Sequence, residues 1–373
     1  SADLVNTLLD EMKVPNNGTI LDPFFGSGTT GLVCQMRGIN SIGYDIMPIS
    51  SVSIRAKASV MKYDIEELEN LLDEVKKLVV PNSYNKKTQY VKITEDAYPP
   101  DNEVFIQYIS DWRDESDYSP QARNLLTLCI VNSLERCSYT IKAGQYLGWD
   151  YRSPKVIKAN KAREEKGKKP LLKKVVREVI ADAHELIAEE LEHVIFEIKL
   201  IQNNNTEHST AHIEYVQNSV LKELPLLGDD SINGVITSPP YCNRYDYTRT
   251  YALELVYLGL GEQDIKDMRQ TLLSCTVESK SKIEQLEDYY KSIGAEKRFN
   301  YIKNIIENNN VLNEIKTALN QRKDSGDLNN NGIIRMVEGY FTELAFVYAE
   351  IYRTCMPGSK VAFVNDNVRY GGE

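Results

Sequence analysis

The residues whose order carries most chemistry are Thr237-Ser238-Pro239-Pro240-Tyr241, directly after the mostly apolar run Ile232 to Ile236. Such a run followed by prolines reads as a strand ending in a stiff, narrow loop. Each proline fixes its φ and supplies a carbonyl without an N–H, and the residue before a proline is pushed toward extended geometry. The loop therefore offers free acceptors, a hydroxyl at Ser238 and an aromatic face at Tyr241. A flat ring bearing an amino group fits that slot, its amino hydrogens on the carbonyl and hydroxyl oxygens and its face on Tyr241. Taken alone, the pentapeptide is equally an ordinary strand end stopped by prolines.

A second stretch adds a binding turn. Gly18 to Asp22 reads as a strand, Pro23-Phe24-Phe25-Gly26-Ser27-Gly28-Thr29-Thr30 as a glycine turn, and Gly31 to Met36 as the apolar start of a helix. Glycine lets a backbone approach a ligand closely, and a helix amino terminus points bare N–H groups at it. The strand Ser41 to Tyr44 ends in Asp45, well placed to accept hydrogen bonds from ribose hydroxyls. Gly26, Gly28 and Gly31 also match the dinucleotide fingerprint, with Asp45 near the expected distance. A nicotinamide-dependent dehydrogenase is therefore one reading of this stretch. A phosphate-loop nucleotidase is not favoured, because no Lys follows the glycines.

Together the two stretches resemble the DNA methyltransferases that methylate amino groups with S-adenosyl-L-methionine. Asp22 through Thr30 is similar to that family's cofactor loop, and Ser238-Pro239-Pro240-Tyr241 to its catalytic tetrapeptide. The Ser-Pro-Pro-Tyr form is more usual in enzymes methylating N4 of cytosine than N6 of adenine. Asn243 to Tyr247 and Pro357 to Gly372 are also similar, and the resemblance covers residues 1–58, 212–260 and 336–373. It implies a doubly wound, Rossmann-like α/β sheet interrupted by two mostly helical insertions. It further implies S-adenosyl-L-methionine as cofactor, double-stranded DNA as partner and, by family habit, a cognate restriction endonuclease. RNA and protein-glutamine methyltransferases share the cofactor loop but more often carry Asn or Asp where Ser238 stands.

The resemblance assigns roles to named positions. Asp22, Pro23, Phe24, Phe25, Gly26, Ser27, Gly28, Thr29, Thr30 and Asp45 would hold the cofactor. Asn218, after the strand His212 to Val216, would accept from its adenine amino group, where the family often has an acid. Ser238 and the Pro239 carbonyl would accept the target's amino hydrogens, with Pro240 stiffening the loop and Tyr241 stacking on a base flipped out of the duplex. The donor methyl is already activated, so no covalent bond to the base is needed. Carbon-methylating enzymes carry Pro-Cys, whereas Tyr241 separates Pro240 from Cys242, which therefore reads as an inert buried thiol. Arg244 and Arg249 are expected as phosphate ligands, and Tyr245 either lines the DNA channel or is a core aromatic of the following helix.

Those elements sit in a chain of 373 residues, enough for two or three packed units. With 42% hydrophobic and 26% charged residues it has the composition of a soluble globular protein. No apolar stretch approaches the ~20 residues of a membrane span. Six cysteines without a C-x-x-C pair point to a reducing cytoplasm, and four scattered histidines give no metal signature. A net charge of −10 argues against a protein that coats nucleic acid nonspecifically, yet leaves room for a local basic face. Lys155, Lys158, Lys161, Arg163, Lys166, Lys168, Lys169, Lys173 and Lys174 form one, opposed within their run by Glu164 and Glu165. Such a run is either a solvated face or a phosphate contact.

Along the chain, Asp3 to Met12 is a helix leading into the first strand and Ser50 to Met61 another after Asp45. Residues 61–209 read as a helical insertion and candidate DNA-reading domain, with helices at Ile65 to Val79 and Leu171 to Leu200 and an exit loop at Asn203 to Thr206. Residues 210–262 return to the catalytic part. Residues 263–335 form a second helical insertion, and 336–373 return to the sheet through the helix Tyr340 to Arg353, a turn at Pro357-Gly358 and a strand Lys360 to Val364. In many relatives with this tetrapeptide the cofactor loop follows the catalytic loop; here it precedes it. The family sheet also usually gains an antiparallel hairpin beyond the point reached at Glu373, which makes a longer parent chain the expectation. These motifs set neither a recognition sequence nor an oligomeric state.

Overall fold

The computed structural model describes residues 1–85, 91–143, 146–171, 173–204, 211–370 and 372, apart from the side chain of Tyr146. Asn205 and Thr206 of the expected exit loop, and Gly371, lie outside the described residues. The described strands are β1 (Thr19–Asp22), β2 (Asn40–Tyr44), β3 (Thr140–Ala143), β4 (Tyr146–Trp149), β5 (Ile213–Val216), β6 (Ile232–Thr237) and β7 (Cys355–Phe363). Five of them make one sheet in the order β5-β2-β1-β6-β7, parallel throughout.

Successive strand residues face opposite sides, and both sides of this sheet are apolar. Ile20 and Ile236 pack with Val5 and Leu9 of the helix Ala2–Met12 and with Val33 and Cys34 of the helix Thr29–Met36. Their neighbours Leu21 and Val235 face the other layer, with Leu224 and with Phe346, Val347 and Ile351 of the helix Ile333–Thr354. The sheet is thus covered on both faces, as parallel sheets are. The chain builds outward from β1 through β2 and β5 on one side, and through β6 and β7 on the other. The order reverses between β1 and β6, and open α/β sheets take ligands at the carboxyl ends of strands beside such a reversal.

The chain divides into two compact units, residues 1–50, 209–246 and 266–373 in one and 51–208 and 247–265 in the other. The expected second insertion, 263–335, is not a body apart. Its helices Ile283–Ser292 and Glu296–Glu307 put Leu286, Tyr290, Phe299 and Ile302 into the same core as Leu21 and Val235. The Lys-, Glu- and Asn-rich composition describes their outer faces. Residues 247–262, expected with the catalytic part, group with the helical unit instead.

In the helical unit the helix Ala183–Asn204 packs against Ile65–Lys77 and Pro120–Ser133, burying Leu68, Leu71, Leu125, Leu126, Ile187 and Leu191. The helix expected from Leu171 starts twelve residues later, because the Asp182 carboxylate caps it by accepting the Glu185 amide at 3.0 Å. Before it the chain is tied elsewhere, the Val176 amide donating to Asp150 at 3.0 Å. The antiparallel pair β3–β4 was not expected; its four-residue strands are too short for alternation to stand out. In β7 the expected turn becomes an irregularity within the strand, whose pairing with β6 jumps from Cys355 to Lys360 around Gly358 at φ 88°.

Candidate active site

β1 ends in Asp22, 5% exposed and packed at the reversal of strand order. One carboxyl oxygen accepts the Thr237 hydroxyl at 2.6 Å and the Phe24 amide at 3.2 Å; the other accepts the Thr30 hydroxyl at 2.7 Å. Burial pushes the Asp22 carboxyl up to about 7, against the pull of those three donors. The turn after it closes with Gly26 at φ 50° and Gly28 at φ 75°, left-handed conformations that favour glycine. Gly28 then begins the helix Thr29–Met36 with no side-chain cap, leaving its amino terminus for a ligand.

Asp45, at the end of β2, holds the same turn from the side. Its carboxylate accepts the Gly26 amide at 2.8 Å and the Met47 amide at 2.8 Å, and burial pushes it up as well. Phe25 was expected among the cofactor ligands, but its ring is buried at 3% exposure under the turn, beside Tyr215 at 6.2 Å. It lies so close to β2 that a Cβ at Gly43 would stand 2.2 Å from the ring. Phe25 is therefore the floor of the turn, and what it can give a ligand is backbone. Pro23 and Thr30 are likewise buried, Phe24 and Thr29 half-buried, and Ser27 exposed. Asn218 follows β5 as expected, but its amide donates to Glu223 and its oxygen already accepts the Ser219 amide at 2.8 Å. One lone pair of that oxygen is left for a ligand.

β6 delivers the second loop beside the first. Thr237 and Pro239 are buried, Pro240 and Tyr241 half-buried, and Ser238 exposed. The Ser238 hydroxyl donates to the Val364 carbonyl at 3.0 Å, and the Tyr241 hydroxyl lies 3.3 Å from the Ser238 oxygen. Sequence reasoning gave no role to Thr237, Val364 or Tyr340, whose hydroxyl accepts from the Asn365 amide at 3.3 Å. Thr237 stood within the quoted motif, but its partner is 215 residues away. Burial pushes the Cys242 thiol up to about 12, which suits an inert thiol and not a nucleophile.

The residues expected at DNA fall in both units. Arg244 has φ 65°, donates to Asn329 at 3.0 Å and lies over the Tyr370 ring at 5.8 Å; Tyr245 follows it, half-buried. Arg249, in the helix Tyr247–Thr250, and the lysine run belong to the helical unit. Two cations of that run are tied to backbone carbonyls. Lys155 donates to the Lys92 carbonyl at 2.7 Å and covers the Trp149 ring at 4.3 Å, and Arg163 donates to the Lys169 carbonyl at 2.8 Å. Lys158, Lys161, Lys166, Lys168 and Lys169 are exposed. Among the described residues no cluster of His, Cys, Asp and Glu could hold a metal ion, and no helix is long and apolar enough to cross a membrane.

Similarity to known proteins bears directly on this geometry. The chain is 48% identical over 373 residues to the type II methyltransferase M.BsoBI of Geobacillus stearothermophilus, covering all of this chain and 73% of that relative. The chain belongs to the DNA amino-methyltransferase family. A family model described as DNA methylase matches residues 1–50 of the methyltransferase, the span holding β1, the glycine turn and Asp45. The type II methyltransferase M.AvaI of Nostoc sp. (strain PCC 7120) is 36% identical over 378 positions, again covering the whole chain and 73% of the relative. M.MjaII of Methanocaldococcus jannaschii is 49% identical over 53 residues, 14% of this chain and 10% of the relative. No solved structure matches. Membership overturns the dehydrogenase reading, which rested on glycine spacing alone, and the RNA and protein-amide readings with it.

Proposed function

We propose that this protein transfers the methyl group of S-adenosyl-L-methionine to the exocyclic amino nitrogen of a base flipped out of double-stranded DNA, namely N4 of cytosine. The observation that carries the reading is that the glycine turn and the Ser-Pro-Pro-Tyr loop leave adjacent parallel strands at one end of the sheet and share the Asp22 carboxylate. The turn suits such a donor. A Cβ at Gly26 would meet nothing within 4 Å, so there is room above it. When bound, the sulfonium supplies an activated methyl group.

The protein's own task is orientation and hydrogen-bond polarity. An amino group conjugated with a ring is a poor nucleophile, and placing it correctly is worth up to about 7–11 kcal/mol. Because the Ser238 proton is held by the Val364 carbonyl and the Tyr241 hydroxyl lies 3.3 Å from its oxygen, one lone pair of Ser238 is left as an acceptor for an amino hydrogen. Pro239 and Pro240 have no N–H to oppose that hydrogen, and Pro239 adds its carbonyl. Tyr241 stacks on the flipped ring and offsets part of the few kcal/mol lost on unstacking. These oxygens would attract the amino hydrogens and the positive charge that grows on the nitrogen as it takes up the methyl group, easing the loss of the surplus proton to water.

The exposed Lys158, Lys161, Lys166, Lys168 and Lys169 support a phosphate-contacting face, and Arg244, Tyr245 and Arg249, which follow the catalytic loop in sequence, are proposed as further DNA contacts. Lys158→Glu with Lys161→Glu should weaken duplex binding and flatten its salt dependence; an unchanged salt slope would remove the lysines from the DNA. The type II names of the relatives support a companion restriction endonuclease that cuts the sequence this protein protects. The base is tested by methylating unmodified duplex, digesting it to nucleosides and separating the products by mass spectrometry. N4-methylcytosine is expected, N6-methyladenine would transfer the assignment to adenine, and neither would end the reading.

A further inference from the structure

We infer that Thr237, the residue before the Ser-Pro-Pro-Tyr loop, is a positioning residue that sets the spacing between the cofactor turn and the catalytic loop. The inference deepens the proposed function and rests on it. It starts from the sheet ladder. β1 and β6 are paired at Ile20 with Gly234 and at Leu21 with Val235, and the register between them ends there. Their backbones part at the reversal of strand order, where a ligand crevice opens. Beyond that point the 2.6 Å bond from the Thr237 hydroxyl to Asp22 joins them, with both residues at most 5% exposed.

Thr237 is tied on its other side as well. It is the last residue of β6 in register with β7, opposite Phe363, and its carbonyl accepts the Val364 amide at 2.9 Å. The Val364 carbonyl in turn accepts the Ser238 hydroxyl. The second Asp22 oxygen holds the Thr30 hydroxyl, at the start of the helix that follows the glycine turn. One buried threonine thus connects the turn that would hold the methyl donor, the loop that would hold the acceptor and the carbonyl that orients Ser238.

A threonine that merely satisfied a buried carboxylate would affect stability and leave the rate per folded molecule alone. A positioning residue affects the rate, because a misplacement of about 1 Å in an in-line transfer costs about 100-fold. The experiment compares Thr237→Val, which keeps the shape and removes the hydroxyl, with Thr237→Ser, which keeps the hydroxyl. Single-turnover methylation of duplex DNA is measured per folded molecule, alongside the dissociation constant for S-adenosylhomocysteine and the melting temperature.

Thr237→Val is expected to lower the single-turnover rate about 10- to 100-fold, with S-adenosylhomocysteine affinity within about threefold of the parent. Thr237→Ser is expected to restore the rate to within about threefold. If the valine variant fails to fold, Thr237→Ala carries the same expectation. The inference is overturned by a hydroxyl-less variant at near-parent rate, by equal slowing in the serine variant, or by cofactor affinity falling in step with the rate; each leaves the functional reading standing. No transfer by the unsubstituted chain overturns the functional reading, and this inference with it.

Discussion

The turn after β1 and the loop after β6 leave neighbouring strands but are built in opposite ways. The turn is held from within: Asp22 and Asp45 accept its backbone amides, glycines bend it, and the Phe25 ring is its floor. The loop, stripped of donors by two prolines, is held from outside, at its root by Thr237 on Asp22 and at its side by Ser238 on Val364. A surface that must bind a constant molecule can satisfy its own polar groups. A surface that must receive a changing charge has to leave acceptors open. On the proposed function, this contrast would give affinity to the turn and rate to the loop.

The sharpest test of that division is Ser238→Ala. Losing an oriented polar group that meets developing charge costs about 100-fold or more in rate, while S-adenosylhomocysteine binding by calorimetry should stay within about threefold. Equal loss of both would merge the two regions into one. Gly43→Ala strikes the turn from below, since the added Cβ would stand 2.2 Å from the Phe25 ring. Overpacking of this kind costs about 1–3 kcal/mol, read in urea unfolding, with weaker S-adenosylhomocysteine binding. Unchanged stability and binding would mean the floor does not matter.

Asp45→Ala is a milder test. It leaves the Gly26 and Met47 amides without their carboxylate, and cofactor affinity should fall about tenfold, as for a charged hydrogen bond. A rate effect at saturating cofactor would break the comparison. The smallest effect is in pH. Burial raises Asp22 to about 7, above the value of about 4 for an unfolded aspartate. Between these values the folded chain binds a proton that the unfolded chain has released, so this group's contribution to stability falls as pH rises from about 4 to 7. Relative to Asp22→Asn, the parent's melting temperature should decline over that range; a constant offset would show that Asp22 does not titrate there.

Some of this was legible because the signals are local. The sheet strands, the glycine turn and the proline loop each declare themselves within ten residues, through short apolar runs, φ-permissive glycine and donor-free proline. The helix start at Ala183 was also legible, through Asp182 three residues before Glu185, but the apolar run upstream from Leu171 hid it. The helices of 263–335 looked like an inserted body because composition counts both faces. Membership in the sheet's core depends on where Tyr290 and Phe299 point after folding. The directions of the Lys155 and Phe25 side chains were not legible for the same reason: a side chain's type is local, whereas its direction is set by neighbours such as Trp149 and Gly43.

By itself, then, the order of residues determined the chemical inventory: a ligand-binding turn, an acceptor-rich loop without competing donors, and parallel strands to carry them. Folding decided which of those groups meet. Thr237 and Asp22, 215 residues apart in the chain, share a hydrogen bond only because β1 and β6 lie side by side where the strand order reverses. Backbone preferences act over a few residues, but the closure of two loops on one carboxylate is a property of the packed sheet.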